Sequence, residues 1–186
     1  MSEELFEEMV GNQQAWESCE RADRMLSILG RMSGTPGWPS RRQVILLECD
    51  CAETVLDFIP EGEHRPQEAI IAARRWANGE DISPVHLRNA ADAAAAYAAS
   101  SAYTDATYAA HAAAAVANAA ANAADADAAA VASYAADADA AAAYEAAYDD
   151  YPSEDYAFYA AEAARDKKLR ELADLIRAQV HPKLSK

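Results

Sequence analysis

The side chains best suited to hold another molecule recur at helical spacing in the middle of the chain. Tyr97, Ser101, Thr104, Tyr108, His111, Ala115, Asn118, Asn122 and Asp125 follow one another in alternating steps of four and three, which places them on one side of a helix. Asp127, Ala130, Tyr134, Asp137, Ala141, Tyr144, Tyr148 and Tyr151 repeat the pattern downstream. Tyrosine brings a large contact area at low entropic cost. A groove wall of such rings stacks on a base or a partner side chain while asparagine and histidine hydrogen-bond it. The candidate binding residues are therefore Tyr97, Tyr108, His111, Asn118, Asn122, Tyr134, Tyr144 and Tyr148. Arg41, Arg74 and Arg75 join them as side chains able to grip a phosphate or carboxylate with two hydrogen bonds. The plainer account of the same residues is a solvated face whose rings cover alanine, with Arg74 and Arg75 complementing the dipole at a helix C-terminus.

Catalytic signals are weak by comparison. His64, His86, His111 and His181 stand apart from one another, with no HExxH, GxSxG, GxxxxGK[ST] or GxGxxG anywhere. Cys49-Asp50-Cys51 has the look of half a metal site, but the two thiols diverge by about 200° on a helix. No second cysteine pair or histidine at ligand spacing completes it. The expectation is a chain with no enzyme activity, no metal and no cofactor.

Composition sets the class. The 186 residues include 50 alanines, only 6 glycines and 7 prolines, and a net charge of −15. Alanine has the highest helix propensity, so the expected fold is all-α: a compact multi-helix bundle with long Ala-rich helices packed closely. Charge is segregated. Residues 1–88 carry 16 acids and 9 bases, residues 89–164 carry 12 acids and no Lys or Arg, and residues 165–186 carry 3 acids and 7 bases. The basic end can complement the acidic middle within one fold. Such an acidic chain is a poor binder of nucleic-acid backbone, and its polar-interrupted Ala tract is unsuited to a membrane. With no apolar leader at the start and three cysteines in apolar helical contexts, the expected location is the cytoplasm.

The elements that position these residues are marked by caps and breakers. The spacing predicts one all-helical domain with core helices over 1–82, Ala/Tyr-rich helices over 83–150 and a last helix over 153–181. Asn12 starts a helix through about Met32, with Trp16, Cys19, Ala22, Leu26 and Leu29 as its apolar stripe. Ser40 and Gln43 form a capping box for a helix carrying Val44, Ile45, Leu47, Cys51, Val55 and Phe58, expected to stop before Pro60. Arg65-Pro66 opens the next helix and Asn78-Gly79 closes it. Ser83-Pro84 begins the tract, in which Ala90–Tyr148 holds 36 alanines in 59 residues. One helix over 84–149 would run about 100 Å, so breaks are expected near Ser100-Ser101 or around Asn122–Asp127. The small-residue seam Ala95, Ala99, Ala102, Ala106, Ala109, Ala113, Val116 and Ala120 is its expected packed side. Ser153 caps the final helix, which docks through Leu169, Leu172 and Ile176 and stops before Pro182.

The first 80 residues also carry a resemblance. Ala15-Trp16-Glu17-Ser18-Cys19-Glu20-Arg21-Ala22-Asp23-Arg24-Met25-Leu26, Leu46-Leu47-Glu48-Cys49-Asp50-Cys51-Ala52-Glu53 and Arg65-Pro66-Gln67-Glu68-Ala69-Ile70, leading to Arg74-Arg75-Trp76-Ala77-Asn78-Gly79-Glu80, resemble bacterial immunity proteins of the immunity-protein-five-like class. Such proteins belong to polymorphic-toxin systems and have bacteriophage-encoded relatives. The resemblance implies an all-helical, non-enzymatic inhibitor that neutralises a toxin or a defence-system protein by binding it. The Ala tract departs from many relatives in carrying no arginine. Two occupants of the Tyr seams follow: a basic toxin or nuclease surface, or a nucleotide-like immune signal sequestered with the help of arginine. Close-packing alanine faces also make a homodimer an expectation.

Overall fold

Side chains written in the sequence, Asn12, Ser40 and Ser83, cap the starts of three of the described helices. The computed structural model describes residues 3–122, 128–150 and 153–182, which form nine α-helices and a 3-10 turn, with no strand among them. α1 spans Glu3–Gly11 and α2 spans Gln13–Glu17. The Asn12 side chain accepts from the backbone N–H groups of Gln14 (2.9 Å) and Ala15 (3.3 Å) to start α2. That helix does not continue to Met32 as the spacing predicted. It stops after five residues, and α3 (Ala22–Met32) begins anew beyond Arg21. A tertiary contact meets the interruption, Arg177, far along the chain, donating to the Cys19 carbonyl, and beside it Arg21 pairs locally with Asp23.

α4 (Arg41–Glu53) opens with the expected capping box, the Ser40 N–H donating to Gln43 Oε1 at 2.8 Å. α4 ends at Glu53, short of the stop expected before Pro60: Thr54 caps it, its hydroxyl donating to the Cys51 carbonyl at 2.7 Å, and a 3-10 turn over Leu56–Phe58 leads to α5 (Arg65–Ala77). Gly79 closes α5 at φ +95°, a left-handed conformation suited to glycine, and a β-carbon there would lie 3.2 Å from Arg42 Nη1. α6 (Pro84–Ser100), α7 (Thr104–Asn122) and α8 (Ala128–Asp150) divide the Ala tract. The break expected at Ser100-Ser101 is present. The other expected break coincides with 123–127, which lie outside the described residues, as do Asp125, Asp127 and Tyr151. α9 (Glu154–Gln179) is the longest helix. Ser153 sits at its cap position, but its hydroxyl makes no capping hydrogen bond.

Two kinds of core meet. Met25, Leu26, Ile28 and Leu29 of α3, Ile45 and Leu47 of α4, Ile70 of α5, and Leu169, Leu172 and Ile176 of α9 are buried large side chains. Against them lie α7 and α8, which bury almost only alanine. α7 is central, packed on α4, α5, α6 and α8, and eleven of its nineteen residues are buried. Each alanine withdraws little area from water, so this half depends on many close backbone contacts rather than a few large side chains. The small seam holds on α7, where Ala106, Ala109, Ala113, Val116 and Ala120 are buried. It fails on α6: Ala99 is exposed, and Leu87, Ala91, Ala94, Tyr97 and Ala98 make the packed face instead. The turn at Ser101–Tyr103 resets the helical phase, so the seam cannot run through it. Among the described residues no helix is long and apolar enough to cross a membrane.

Candidate functional site

The two Tyr seams face each other across α7 and α8. Thr104, Tyr108, His111, Ala115, Asn118 and Asn122 are half-buried or exposed along one side of α7, whose other sides are buried from Ala109 onward. Ala130, Tyr134, Asp137, Ala141, Tyr144 and Tyr148 form the matching side of α8. The helices run antiparallel: His111 meets Tyr134, while Thr104 shares a cleft with Tyr144. The Tyr108 and Tyr134 ring centroids are 6.5 Å apart at 27°, and His111 lies 5.3 Å from Tyr134. Further along, Tyr144 and Tyr148 stack at 6.2 Å and 7°.

Between these ring pairs lies a cleft of about 270 Å³. Tyr108 and Thr104 line it from α7, and Asp137, Tyr144 and Glu145 from α8. Its small residues are Ala140 and Ala141 of α8 and Ala161 of α9. At one edge Arg165 of α9 donates through Nε to Asp137 Oδ1 at 2.7 Å. Where α8 ends and α9 begins, Tyr148, Tyr156, Phe158 and Tyr159 are exposed, extending the aromatic surface beyond the cleft.

The structure thus brings together Tyr108, His111, Tyr134, Tyr144 and Tyr148. Asn118 and Asn122 continue the α7 side as exposed residues beyond His111 and do not line the cleft. Tyr97 lies elsewhere: it is buried on α6 with Ala98, Ala106 and Ala110, and the Arg65 guanidinium stands 5.2 Å from its ring centre. The arginines are elsewhere too. Arg74 bridges Asp50 (2.7 Å) and Glu53 (2.8 Å) of α4, and Arg75 pairs with Glu80 at 2.7 Å. Arg41 stands in the first turn of α4 and acts electrostatically on Glu48.

Asp137, Glu145 and Arg165 are the charged residues of this region that the candidate set lacked. Asp137 sits on the predicted seam and was legible as a neighbour of the rings. Glu145 falls one position off the seam, and Arg165 and Ala161 enter only because α9 docks on α8.

A larger cleft of about 330 Å³ lies between the Gly37–Pro39 turn, Gln43, Leu46 and Leu47 of α4, and residues 179–182 where α9 ends. No Lys, Arg, Asp or Glu lines it. The smaller α7–α9 groove joins rings to carboxylates and is the better candidate despite its size. The described residues contain no group of three His, Cys, Asp or Glu placed to hold an ion. Burial pushes the Cys49 thiol up to about 12 and the Cys51 thiol further, which makes both poor thiolate donors near neutral pH.

Compared with protein families, with curated proteins and with solved structures, the chain finds no match in any of the three.

Proposed function

We propose that this chain is a non-enzymatic binding protein of the immunity or bacteriophage anti-defence kind, acting in a bacterial cytoplasm. It neutralises a toxin or defence effector by covering a basic surface on it. The observation that carries the reading is the α7–α9 groove, in which tyrosines and carboxylates share one cleft on helices drawn largely from a stretch without Lys or Arg. An acidic face of this kind steers a basic partner into encounter and fixes its orientation. The resemblance of Ala15–Leu26 and of 65–80 to immunity proteins supports the same role.

A nucleotide-like signal is the competing occupant. Its phosphates would need cations, and Arg74 and Arg75 are held by carboxylates of their own chain. Immobilised chain exposed to bacterial lysate at low salt is expected to retain a basic protein that salt releases, because surface charge attraction is screened within about 10 Å at 0.1 M. Combining Tyr108→Ala with Tyr144→Ala is expected to abolish that retention. Native mass spectrometry after exposure to the small-molecule fraction of the lysate is expected to show the bare chain. A retained small molecule, released on denaturation, overturns the protein-partner reading in favour of sequestration, and capture that ignores the double variant overturns the groove.

A further inference from the structure

Among the described residues, arginines cover aromatic rings in three places. Arg31 lies 3.6 Å from the Phe6 ring centre, Arg42 5.6 Å from that of Trp76, and Arg65 5.2 Å from that of Tyr97. A guanidinium over a ring is held by the ring's negative face. Among the described residues no arginine covers the groove rings: Tyr108 and His111 contact Tyr134, and Tyr144 contacts Tyr148, so aromatic meets aromatic. Residues 89–164 supply no Lys or Arg to do otherwise.

The carboxylates of the cleft complete the pattern. Asp137 already accepts from Arg165. Glu145, on the same lining, is exposed and has no ion pair among the described residues. One carboxylate is matched to a guanidinium, and a second, beside Tyr144, is not.

We propose that the cleft between α7, α8 and α9 is a socket for an arginine side chain of the protein partner, its guanidinium lying against the Tyr108 and Tyr144 rings and pairing with Glu145. The inference deepens the functional reading above and takes from it only that the groove is the binding face. Arginine fits better than lysine because its head group is planar, weakly hydrated and able to stack on a ring while forming paired hydrogen bonds. A protein is the source because the aromatic line continues past the cleft in both directions. From Tyr134 to Tyr148 it follows α8 for about 21 Å at 1.5 Å per residue, well beyond the reach of one small cation.

The test is an NMR titration of the full chain with a short glycine-flanked peptide carrying one arginine, beside the same peptide carrying citrulline or lysine, and beside spermidine. Saturating shifts are expected at the amides of Ala140, Ala141, Glu145 and Ala161 with arginine and not with citrulline, which keeps the shape and loses the charge. Affinity is expected to fall about tenfold in Tyr108→Leu, the effect of losing one partly desolvated cation–ring contact. A comparable fall is expected in Glu145→Gln, an exposed change that leaves the fold intact. Equal response to citrulline, shifts confined to the cleft beside Trp38, or tighter binding of spermidine at these amides each overturn the socket. Peptide saturation without any captured protein overturns the functional reading and leaves the socket. Salt-sensitive protein capture with unmoved groove amides overturns the socket and leaves the function.

Discussion

Glu48 is the residue whose chemistry departs furthest from its surroundings. It is fully buried on α4, and neither carboxylate oxygen has a hydrogen-bond partner among the described residues. Loss of water pushes its carboxyl up to about 8, against a smaller opposing pull from Arg41. A free carboxyl titrates near 4.5, so between these values the folded chain holds a proton that the unfolded chain gives up. The stabilising effect of that difference is complete below the unfolded value and is lost as pH rises through the folded one. Unfolding by urea should therefore become easier from pH 5 to pH 8. Glu48→Gln, which cannot ionise, should flatten that slope and be more stable than the parent at pH 7 by on the order of 3 kcal/mol. Equal slopes in parent and variant would refute the assignment. The position was half-legible in the sequence. Arg41, Ile45, Glu48, Ala52 and Val55 share one face, so the apolar residues either side placed Glu48 on the stripe, but only the packing of other helices on α4 decides that this face is sealed.

At the scale of elements, local signals read well and long-range ones did not. The capping box at Ser40, the proline start of α5, the glycine stop at Gly79 and the Ser101 break depend on residues adjacent in sequence, and each is present. The break between α2 and α3 is met by Arg177 reaching the Cys19 carbonyl from the other end of the chain, and no local pattern announces it. Alanine raises a different difficulty: a residue equally at ease on every side of a helix carries little phase information, so the packed face of α6 was misassigned while that of α7 was found. The distinction has measurable consequences. Ala113 is fully buried on α7 and Ala99 is exposed on α6. Ala113→Leu should destabilise the chain by about 1–3 kcal/mol through overpacking, whereas Ala99→Leu should stay within about 0.5 kcal/mol. Thermal unfolding followed by circular dichroism distinguishes them, and equal midpoints would mean that α7 is not the packed centre.

Across the whole molecule, the sequence declared the charge blocks and left open how they join. The basic end lies along the acidic middle: Arg165 and Lys168 of α9 meet Asp137 and Asp139 of α8 at 2.7 and 3.3 Å. The two pairs do different work because they sit at different depths. Arg165–Asp137 borders the groove, while the Lys168 side chain is only 10% exposed and its partner Asp139 27%. Burial raises the Asp139 carboxyl above its ordinary value despite the attraction of Lys168. Removing one partner of a buried pair leaves the other charge uncompensated, which costs more than the pair ever contributes. Lys168→Met should accordingly lower stability at pH 7 by about 2–3 kcal/mol. Lys167→Met should change it by no more than about 0.5 kcal/mol, since Lys167 is 74% exposed and meets Glu171 at 3.6 Å on the surface. Adding Asp139→Leu to Lys168→Met should restore most of the loss, because the orphaned acid is then gone. Urea denaturation of the three variants settles the matter: if Lys168→Met behaves like Lys167→Met, the basic end only screens the acidic middle from outside, and the α8–α9 seam depends on its apolar contacts alone.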